Sequence, residues 1–590
     1  MFKKKKEEEI PVIDPEVAGL LEYKKMAKAY IESNFLSEAE AEKQRNTVFP
    51  RSIKFSILVP LYNTPLNFLS EMIESVKAQT YGNFELCLAD GSDDAHGEVG
   101  RVCLKYAEKD NRIIYKKLAE NKGIAGNTNE CIGMATGDFL ALFDHDDLLH
   151  PAALYEMMKV ICEKDADFVY SDESVFENGD ITDIINLHFK TDFAPDNLLA
   201  NNYICHFTTF DAKLIEKAGM FRQYDGSQDH DMILRLTDAA KKICHIPKVL
   251  YYWRSHPASV ASDISAKMYA VDAGKRVVKD YLSAKGINAE VESTKVFPAI
   301  YKIKYPLDEK PLVSILIPNK DHIKDLTRCI ESIRILSTYD NFEIIIIENN
   351  STEEITFRYY EYLASLNNVR VIRYPYGFNY SAINNYGARY AKGEYLLLLN
   401  NDTEVITLEW IEEMLMYAKR PDVGAVGAKL YYEDDTVQHA GIVVGLGAHR
   451  AAGHVHYRVP KDAKGYMGKL HYVQNVSAVT GACLMVKKSL YDELGGLDEQ
   501  FTVAFNDVDF CLRAMEKGYL NIFTPDAELY HYESKSRGLE DTEEKNARFL
   551  REVDMFRERW IKLIEKGDPY YNVNFSLDRA DYAIRSNSNE

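Results

Sequence analysis

Carboxylates gather at a few points of this chain, and most of them close an apolar run. Leu140-Ala-Leu-Phe-Asp144-His-Asp146 ends a strand-like segment in two acids. Carboxylates two residues apart at a strand end can both turn toward one hard cation, and Mg²⁺ or Mn²⁺ takes oxygen ligands while keeping places for substrate phosphates. The same run also fits a plain turn or the cap of a helix at Leu148. Leu86-Cys-Leu-Ala-Asp90 likewise ends in an acid, followed by the turn-forming Gly-Ser-Asp-Asp. Asp90 there is a candidate hydrogen-bond acceptor for a nucleoside base or ribose. Asn121-Lys-Gly-Ile-Ala-Gly-Asn127 is glycine-spaced and opens a helix at Asn127, which suits close backbone approach to a ligand. Gln228-Asp-His-Asp231 puts two acids at the head of a helix. Asp231 there fits an ordinary cap, and Asp229 is the better candidate for a general base.

The layout occurs twice, in the same order. Phe55-Ser-Ile-Leu-Val-Pro is matched by Val313-Ser-Ile-Leu-Ile-Pro, and the acid of Asp90 by Glu348 in Ile344-Ile-Ile-Ile-Glu. Asp144-His-Asp146 is matched by Asn400-Asn-Asp402 after Leu396-Leu-Leu-Leu, and Gln228-Asp-His-Asp by Asn506-Asp507-Val-Asp509. Preserved order means two similar domains. Any function must therefore explain why the site is wanted twice.

At 590 residues the chain exceeds the size at which one core stops growing. Alternating apolar runs and amphipathic helices predict a mostly parallel α/β sheet in each half, covered on both faces. Ligands bind such sheets at the carboxyl ends of the strands, where Asp90 and Asp144 fall. The spacing divides the chain into a helical leader over 1–50, a first domain over 51–290, a linker over 291–311, a second domain over 312–535, and a helical-to-coil tail over 536–590. The second half is longer between its metal-type and base-type acids. Its surplus, rich in Gly and His, falls in Tyr431–Val473 and reads as a loop or flap over the site; its histidines are spaced too irregularly for a zinc site and read as surface or acceptor-loop residues.

A formal charge of −20 argues against nucleic acid, which needs a basic stripe. It also means that an anionic pyrophosphate would need a cation to soften the contact. The nine cysteines show no CxxC pair and read as free thiols of a reducing cytosol. No stretch is long and apolar enough for a membrane span, and the lysines at Lys3–Lys6 precede no apolar signal core. They read as part of a solvated arm, with membrane-surface contact as the alternative. Gly-x-Gly-x-x-Gly is absent after the first strand, which speaks against a dinucleotide site.

Taken together, Val-Pro-Leu-Tyr-Asn63, Gln79-Thr-Tyr, Ala-Asp90-Gly-Ser-Asp, Asn121-Lys-Gly-Ile-Ala-Gly-Asn, Asp144-His-Asp-Asp and Gln228-Asp-His-Asp resemble family 2 glycosyltransferases of the GT-A fold. The second half, with Leu-Asn-Asn-Asp402 and Phe505-Asn-Asp-Val-Asp, is similar to the rhamnosyl- and galactofuranosyl-type branch. The tandem form looks like bacterial proteins that build O-antigen, capsule or rhamnan. The resemblance covers about 55–290 and 312–535. It implies an α/β fold of two tandem GT-A, Rossmann-like domains behind a helical leader.

The resemblance also implies roles. Asp90 and Glu348 would contact the nucleoside, with Asn127 beside the donor. Asp144, Asp146 and Asp402 would hold a divalent cation, Mn²⁺ or Mg²⁺, against the diphosphate. His531 in Leu-Tyr-His-Tyr-Glu matches a further metal ligand. Trp253-Arg254-Ser-His256 stands in the comparable place of the first half, where Arg254 would meet the phosphates. Asp229 and Asp507 would deprotonate the acceptor.

The expected activity is inverting transfer from a nucleotide-diphospho-sugar to a lipid-linked saccharide acceptor. The expected place is the cytoplasm, with peripheral contact at the inner membrane face or with polysaccharide-assembly proteins. Because Asn400 stands where the first half has an acid, the alternative is one active domain plus a non-catalytic acceptor-binding or assembly domain. A sugar nucleotidyltransferase would show a Gly-rich loop with basic residues after Val59, and none is present.

Overall fold

The computed structural model describes residues 15–256, 268–533 and 542–586. The Lys3–Lys6 run, read above as a solvated arm or a membrane contact, lies outside them. In the first half the strands are β1 (Phe55–Leu61), β2 (Phe84–Asp90), β3 (Ile113–Lys117), β4 (Phe139–Leu142), β5 (Leu148–Leu149), β6 (Phe168–Glu177), β7 (Asp180–His188), β8 (Thr208–Asp211) and β9 (Ile243–Arg254). They form one sheet in the order β3-β2-β1-β4-β8-β6-β9-β5, with β7 on β6. β1 runs parallel to both β2 and β4. Because the chain builds outward to β3 and then returns to the other side of β1, a switch point lies between β1 and β4.

Every residue of β1 and β2 is buried, as expected of strands covered on both faces. The helix Leu66–Lys77 buries Leu69, Met72, Ile73 and Val76, one apolar stripe at helical spacing. Phe68 lies outside that stripe, under the Arg254 guanidinium.

β10 (Glu290–Ser293) and β11 (Tyr301–Lys304) pair as an antiparallel ribbon, so the stretch read as a linker carries structure of its own. Tyr301 and Ile303 are buried in the first-half core, and Lys302 pairs with Glu413 of the second half at 2.7 Å.

The second half repeats the plan with β12 (Val313–Asn319), β13 (Phe342–Glu348), β14 (Val369–Arg373), β15 (Tyr395–Leu399), β16 (Thr403–Val405), β17 (Val423–Tyr431), β18 (Val437–His439), β19 (Ile442–Val444), β20 (Ala452–His454), β21 (Gln474–Val476), β22 (Cys483–Lys487) and β23 (Leu520–His531). The order β14-β13-β12-β15-β22-β17-β23-β16 places β12 where β1 stands in the first sheet. β19 and β20 pair as a two-stranded antiparallel ribbon, and Ile442 of β19 also bridges to Ala478.

The termini tie the halves together. The leader helix Pro15–Ser33 buries Ala27 and Ile31 against Phe176 and Leu187 of the β6–β7 hairpin. Ser37 and Glu40 close a capping box on the next helix, Glu38–Arg45. The helix Glu543–Lys566 presents Glu552, whose carboxylate accepts the backbone N–H groups of Thr502, Val503 and Ala504. The tail, read from sequence as a polar coil, instead buries Tyr571, Phe575, Tyr582 and Ile584 in the same cluster as the leader and Val443. Its apolar residues follow no period, because each fills a separate gap between elements already placed.

All nine cysteines are free thiols. Among the described residues no helix is long and apolar enough to cross a membrane.

Candidate functional site

In the first half Asp90 closes β2 and is buried. Its carboxylate accepts the Tyr115 hydroxyl at 2.8 Å and the Ser92 N–H at 2.8 Å, with Lys117 Nζ 3.5 Å away. Asn127 does not open its helix as expected, because the helix Gly123–Met134 begins one turn earlier. Its amide stitches the preceding loop instead, donating to Asn121 Oδ1 at 2.9 Å and accepting the Lys122 N–H at 3.1 Å.

Leu142 pairs with Thr208 in antiparallel β4 and β8. Two residues beyond each strand end this register sets His206 opposite Asp144, with His206 Nε2 3.2 Å from Asp144 Oδ2. Burial alone would raise the Asp144 pKa, but His206 holds it below the ordinary value. Burial alone would likewise lower His206, yet Cys205, Asp144 and Glu173 raise it well above the ordinary histidine range. Glu173 itself is buried and held as carboxylate by Lys190 at 3.2 Å and His188 at 2.9 Å. Asp146 Oδ2 meets His256 Nε2 at 2.8 Å.

Arg254 departs from the expected phosphate contact. Its Nε donates to the Asp146 carbonyl at 2.7 Å, its Nη2 to Glu71 at 2.6 Å, and its planar face lies against Phe68 and Phe176. It is only 3% exposed, so it braces the backbone at Asp146.

Asp229 and Asp231 have separate environments although they share one helix turn, Gln228–Ala239. Asp231 is enclosed by Arg222 and by Arg235 at 2.6 Å. Asp229 takes a hydrogen bond from Gln228 at 2.9 Å. Burial, and then the neighbouring Asp144, push its carboxyl up to about 6.

The second half shows the same plan around a cavity of about 760 Å³. The Asn319 and Asn349 wall comes from the carboxyl ends of β12 and β13. Asp402, Asp507 and His531 line the same space. Thr403 pairs with His531 across β16 and β23, which brings His531 Nε2 to 3.2 Å from Asp402 Oδ1. Burial works against ionisation of Asp402, but His531 holds it below the ordinary value. His531 Nδ1 lies 2.6 Å from Gln438 Oε1 and so carries a proton, while Nε2, 3.1 Å from Asn400 Nδ2, is the nitrogen that faces Asp402. Asp402 Oδ1 is buried without a hydrogen-bond partner among the described residues.

Asp507 accepts the Gly481 N–H at 2.7 Å and the Val508 N–H at 2.8 Å. Asp509 lies among Arg513, Arg559 and the Trp560 indole N–H. Glu348 accepts the Ser351 N–H at 2.6 Å, and Arg373 stands 3.8 Å from it.

The carboxylates expected to hold a cation each face a histidine: Asp144 with His206, Asp146 with His256 and Asp402 with His531. Among the described residues no group of three or more His, Cys, Asp or Glu forms a closed metal cage. The Asp402 and His531 atoms that face each other suit an open cation site of the kind whose remaining ligands come from substrate phosphates.

Sequence reasoning missed His206 and the Glu173–Lys190–His188 group, which no motif marks. Of the histidines of 431–473, read as surface or acceptor-loop residues, His454 lines the cavity, whereas His439 and His456 are buried. The segment does close one wall, through Ile442, Ala452 and Gly453. Its remainder reaches the first half, where Tyr466 Oη accepts the Phe189 N–H at 2.8 Å and donates to the Leu187 carbonyl at 2.9 Å.

Two α/β sheets with the same strand plan, each with acids at its switch point, follow one another in this chain. The family model described as "Glycosyl transferase family 2" matches residues 56–218 and 314–495, more than half of the chain. The chain belongs to that family.

An uncharacterized protein, y4gI, of Sinorhizobium fredii is 45% identical over 538 residues, covering 90% of this chain and 58% of its own length. The O-antigen biosynthesis protein RfbC of Myxococcus xanthus is 34% identical over 533 residues, 90% of this chain and 41% of that protein. The chain thus spans about half the length of these relatives. Among solved structures, S. aureus TarS 1–349 in complex with UDP-GlcNAc aligns at 20% identity with a TM-score of 0.33, over 39% of this chain and 66% of that one.

Proposed function

We propose that this chain is a bifunctional, metal-dependent, inverting glycosyltransferase that extends a bacterial surface polysaccharide from nucleotide-diphospho-sugar donors. The observation that carries the reading is the gathering of Asp402, His531 and Asp507 on one cavity beside the carboxyl ends of β12 and β13. Likeness to an O-antigen biosynthesis protein supports the polysaccharide, and a lipid-linked saccharide at the inner membrane face is the acceptor class that suits it.

In this reading Asp507 takes the proton from the acceptor hydroxyl as that oxygen attacks the anomeric carbon in line and the nucleoside diphosphate departs. A positioned carboxylate base typically contributes about 10²–10⁴-fold. Two backbone N–H groups hold the Asp507 carboxylate in place, and Asp402 with His531 would hold Mn²⁺ or Mg²⁺. Such a cation, when bound, stabilises the charge that develops on the leaving diphosphate. Gln438 fixes the His531 ring so that its lone pair faces the cation position.

In the first half Asp229 is the corresponding base and Asp144 with Asp146 the corresponding cation ligands. Asp90 and Glu348, at the ends of β2 and β13, would contact the nucleoside. Two sites making different linkages on one growing chain account for the duplication. The second reading, one active site plus an acceptor-binding domain, draws on Asn400 in place of an acid and on Ala482 in the position that His206 occupies.

The test is transfer by purified protein from a panel of nucleotide sugars with Mn²⁺ or Mg²⁺, comparing D229N and D507N. Loss of a different linkage in each variant is expected. Full transfer by both variants would refute the base assignments, and loss in only one would favour the second reading.

A further inference from the structure

The second-half cavity has two walls of different origin. Asn319, Lys320 and Asn349 extend from the strand ends, whereas Asp507 faces a wall built by β19 and β20, including Ile442 and His454. On that second wall His454 Nδ1 lies 3.0 Å from His439 Nδ1. Two ring nitrogens at this distance share one proton, so one donates and the other accepts.

A third group decides which. The backbone N–H of Thr480 donates to His439 Nε2 at 3.5 Å, so that nitrogen carries a lone pair. Burial, with His454 and His531 nearby, holds His439 well below the ordinary histidine pKa, and the ring is neutral. Its single proton therefore sits on Nδ1 and is donated to His454 Nδ1. His454 is also held low, burial outweighing the opposing pull of Asp507 and Glu533. Its own proton is left on Nε2. Among the described residues that Nε2 has no hydrogen-bond partner, while the ring lines the cavity.

We infer that His454 is an acceptor-binding residue whose Nε2–H donates to an oxygen of the acceptor saccharide, beside the hydroxyl that Asp507 deprotonates. His439 is the positioning residue that fixes the tautomer. The inference rests on the reading of Asp507 as the acceptor base. A neutral donor suits this place, because a second carboxylate would repel Asp507 and a cation would pair with it and weaken it as a base. The ligand class is a neutral polyhydroxylated ring.

The experiment uses the full chain in the D229N background with a simple alkyl glycoside acceptor and the donor found active in the panel. H454L is expected to raise the acceptor KM about tenfold, the size of one lost hydrogen bond, with the donor KM changed less than about twofold. H454Q keeps an amide N–H near the Nε2 position and is expected to recover most of that loss. An equal rise in both KM values, or a rise in the donor KM alone, would overturn the assignment.

Imidazole ¹⁵N spectra of the unliganded protein give a readout independent of turnover. The proton is expected on Nε2 of His454 and on Nδ1 of His439, and the reverse tautomers would also overturn it. Full transfer by D507N with the tautomers as described would instead refute the base assignment beneath it, and the acceptor role would fall with that assignment.

Discussion

His531 Nε2 stands 3.2 Å from Asp402 Oδ1, and neither atom owes its place to sequence proximity. The pairing of β16 with β23 sets them together, and Gln438 turns the ring. Loss of the hydrogen bond behind a metal-ligating histidine typically costs about 10–100-fold in metal affinity. Q438A is therefore expected to raise the Mn²⁺ concentration needed for second-site transfer by about that factor, with H531A at least as severe. Metal titrations of transfer in the D229N background check this. An unchanged requirement in both variants would remove the cation from this pair.

Asp509 and Asp507 share one helix turn but differ in kind. Asp509 is fully buried among Arg513, Arg559 and Trp560, whereas Asp507 faces the cavity. Breaking a buried ion pair from one side costs about 3–5 kcal/mol, and the partly exposed guanidiniums here place the loss nearer about 2–3 kcal/mol. D509A is expected to unfold earlier in urea by that amount. D507N should retain wild-type unfolding and lose second-site transfer.

First-site transfer should carry the titration of Asp229. Its carboxyl is pushed up to about 6 by burial and then by Asp144, and the base works only when ionised. Activity is therefore expected to fall as pH drops through about 6. A divalent cation on Asp144 would offset the repulsion, so the acid limb should move to lower pH as Mn²⁺ rises. pH–rate profiles at two Mn²⁺ concentrations in the D507N background measure this. A limb that stays near pH 4 at both would contradict it.

Stability should respond to a different carboxyl. Asp568, where the tail meets β19, is pushed up to about 6 by burial, although Val444 N–H donates to it at 2.7 Å. With a raised folded-state pKa, the folded form binds the proton more tightly than the unfolded chain. Ionisation therefore counts increasingly against folding from about pH 4 up to about 6, and fully above that. D568N does not titrate, so relative to wild type it is expected to gain about 1.4 kcal/mol between pH 5 and pH 7.5, whatever constant offset the amide introduces. Denaturant melts at the two pH values test the difference, and a parallel response would count against it.

Residue order alone determined the two-fold plan, the strands and the acids at their ends. The parallel strands around β1 and β12, with the helix Ile323–Leu336 packed behind them, are the elements that alternating apolar runs and amphipathic helices predict in each half. Asp90, Glu348, Asp144 and Asp402 were legible because a strand end is a local event: the apolar run stops and the acid follows. Tertiary structure alone decided which polar groups meet. His206 reaches Asp144 only through the β4–β8 register, and Arg254 is drawn away from the site by Glu71 and the Asp146 carbonyl. The tail became core because gaps between the two halves exist only after both have folded. Long-range pairing fixes such partners, and a one-dimensional pattern carries no record of what lies across a sheet.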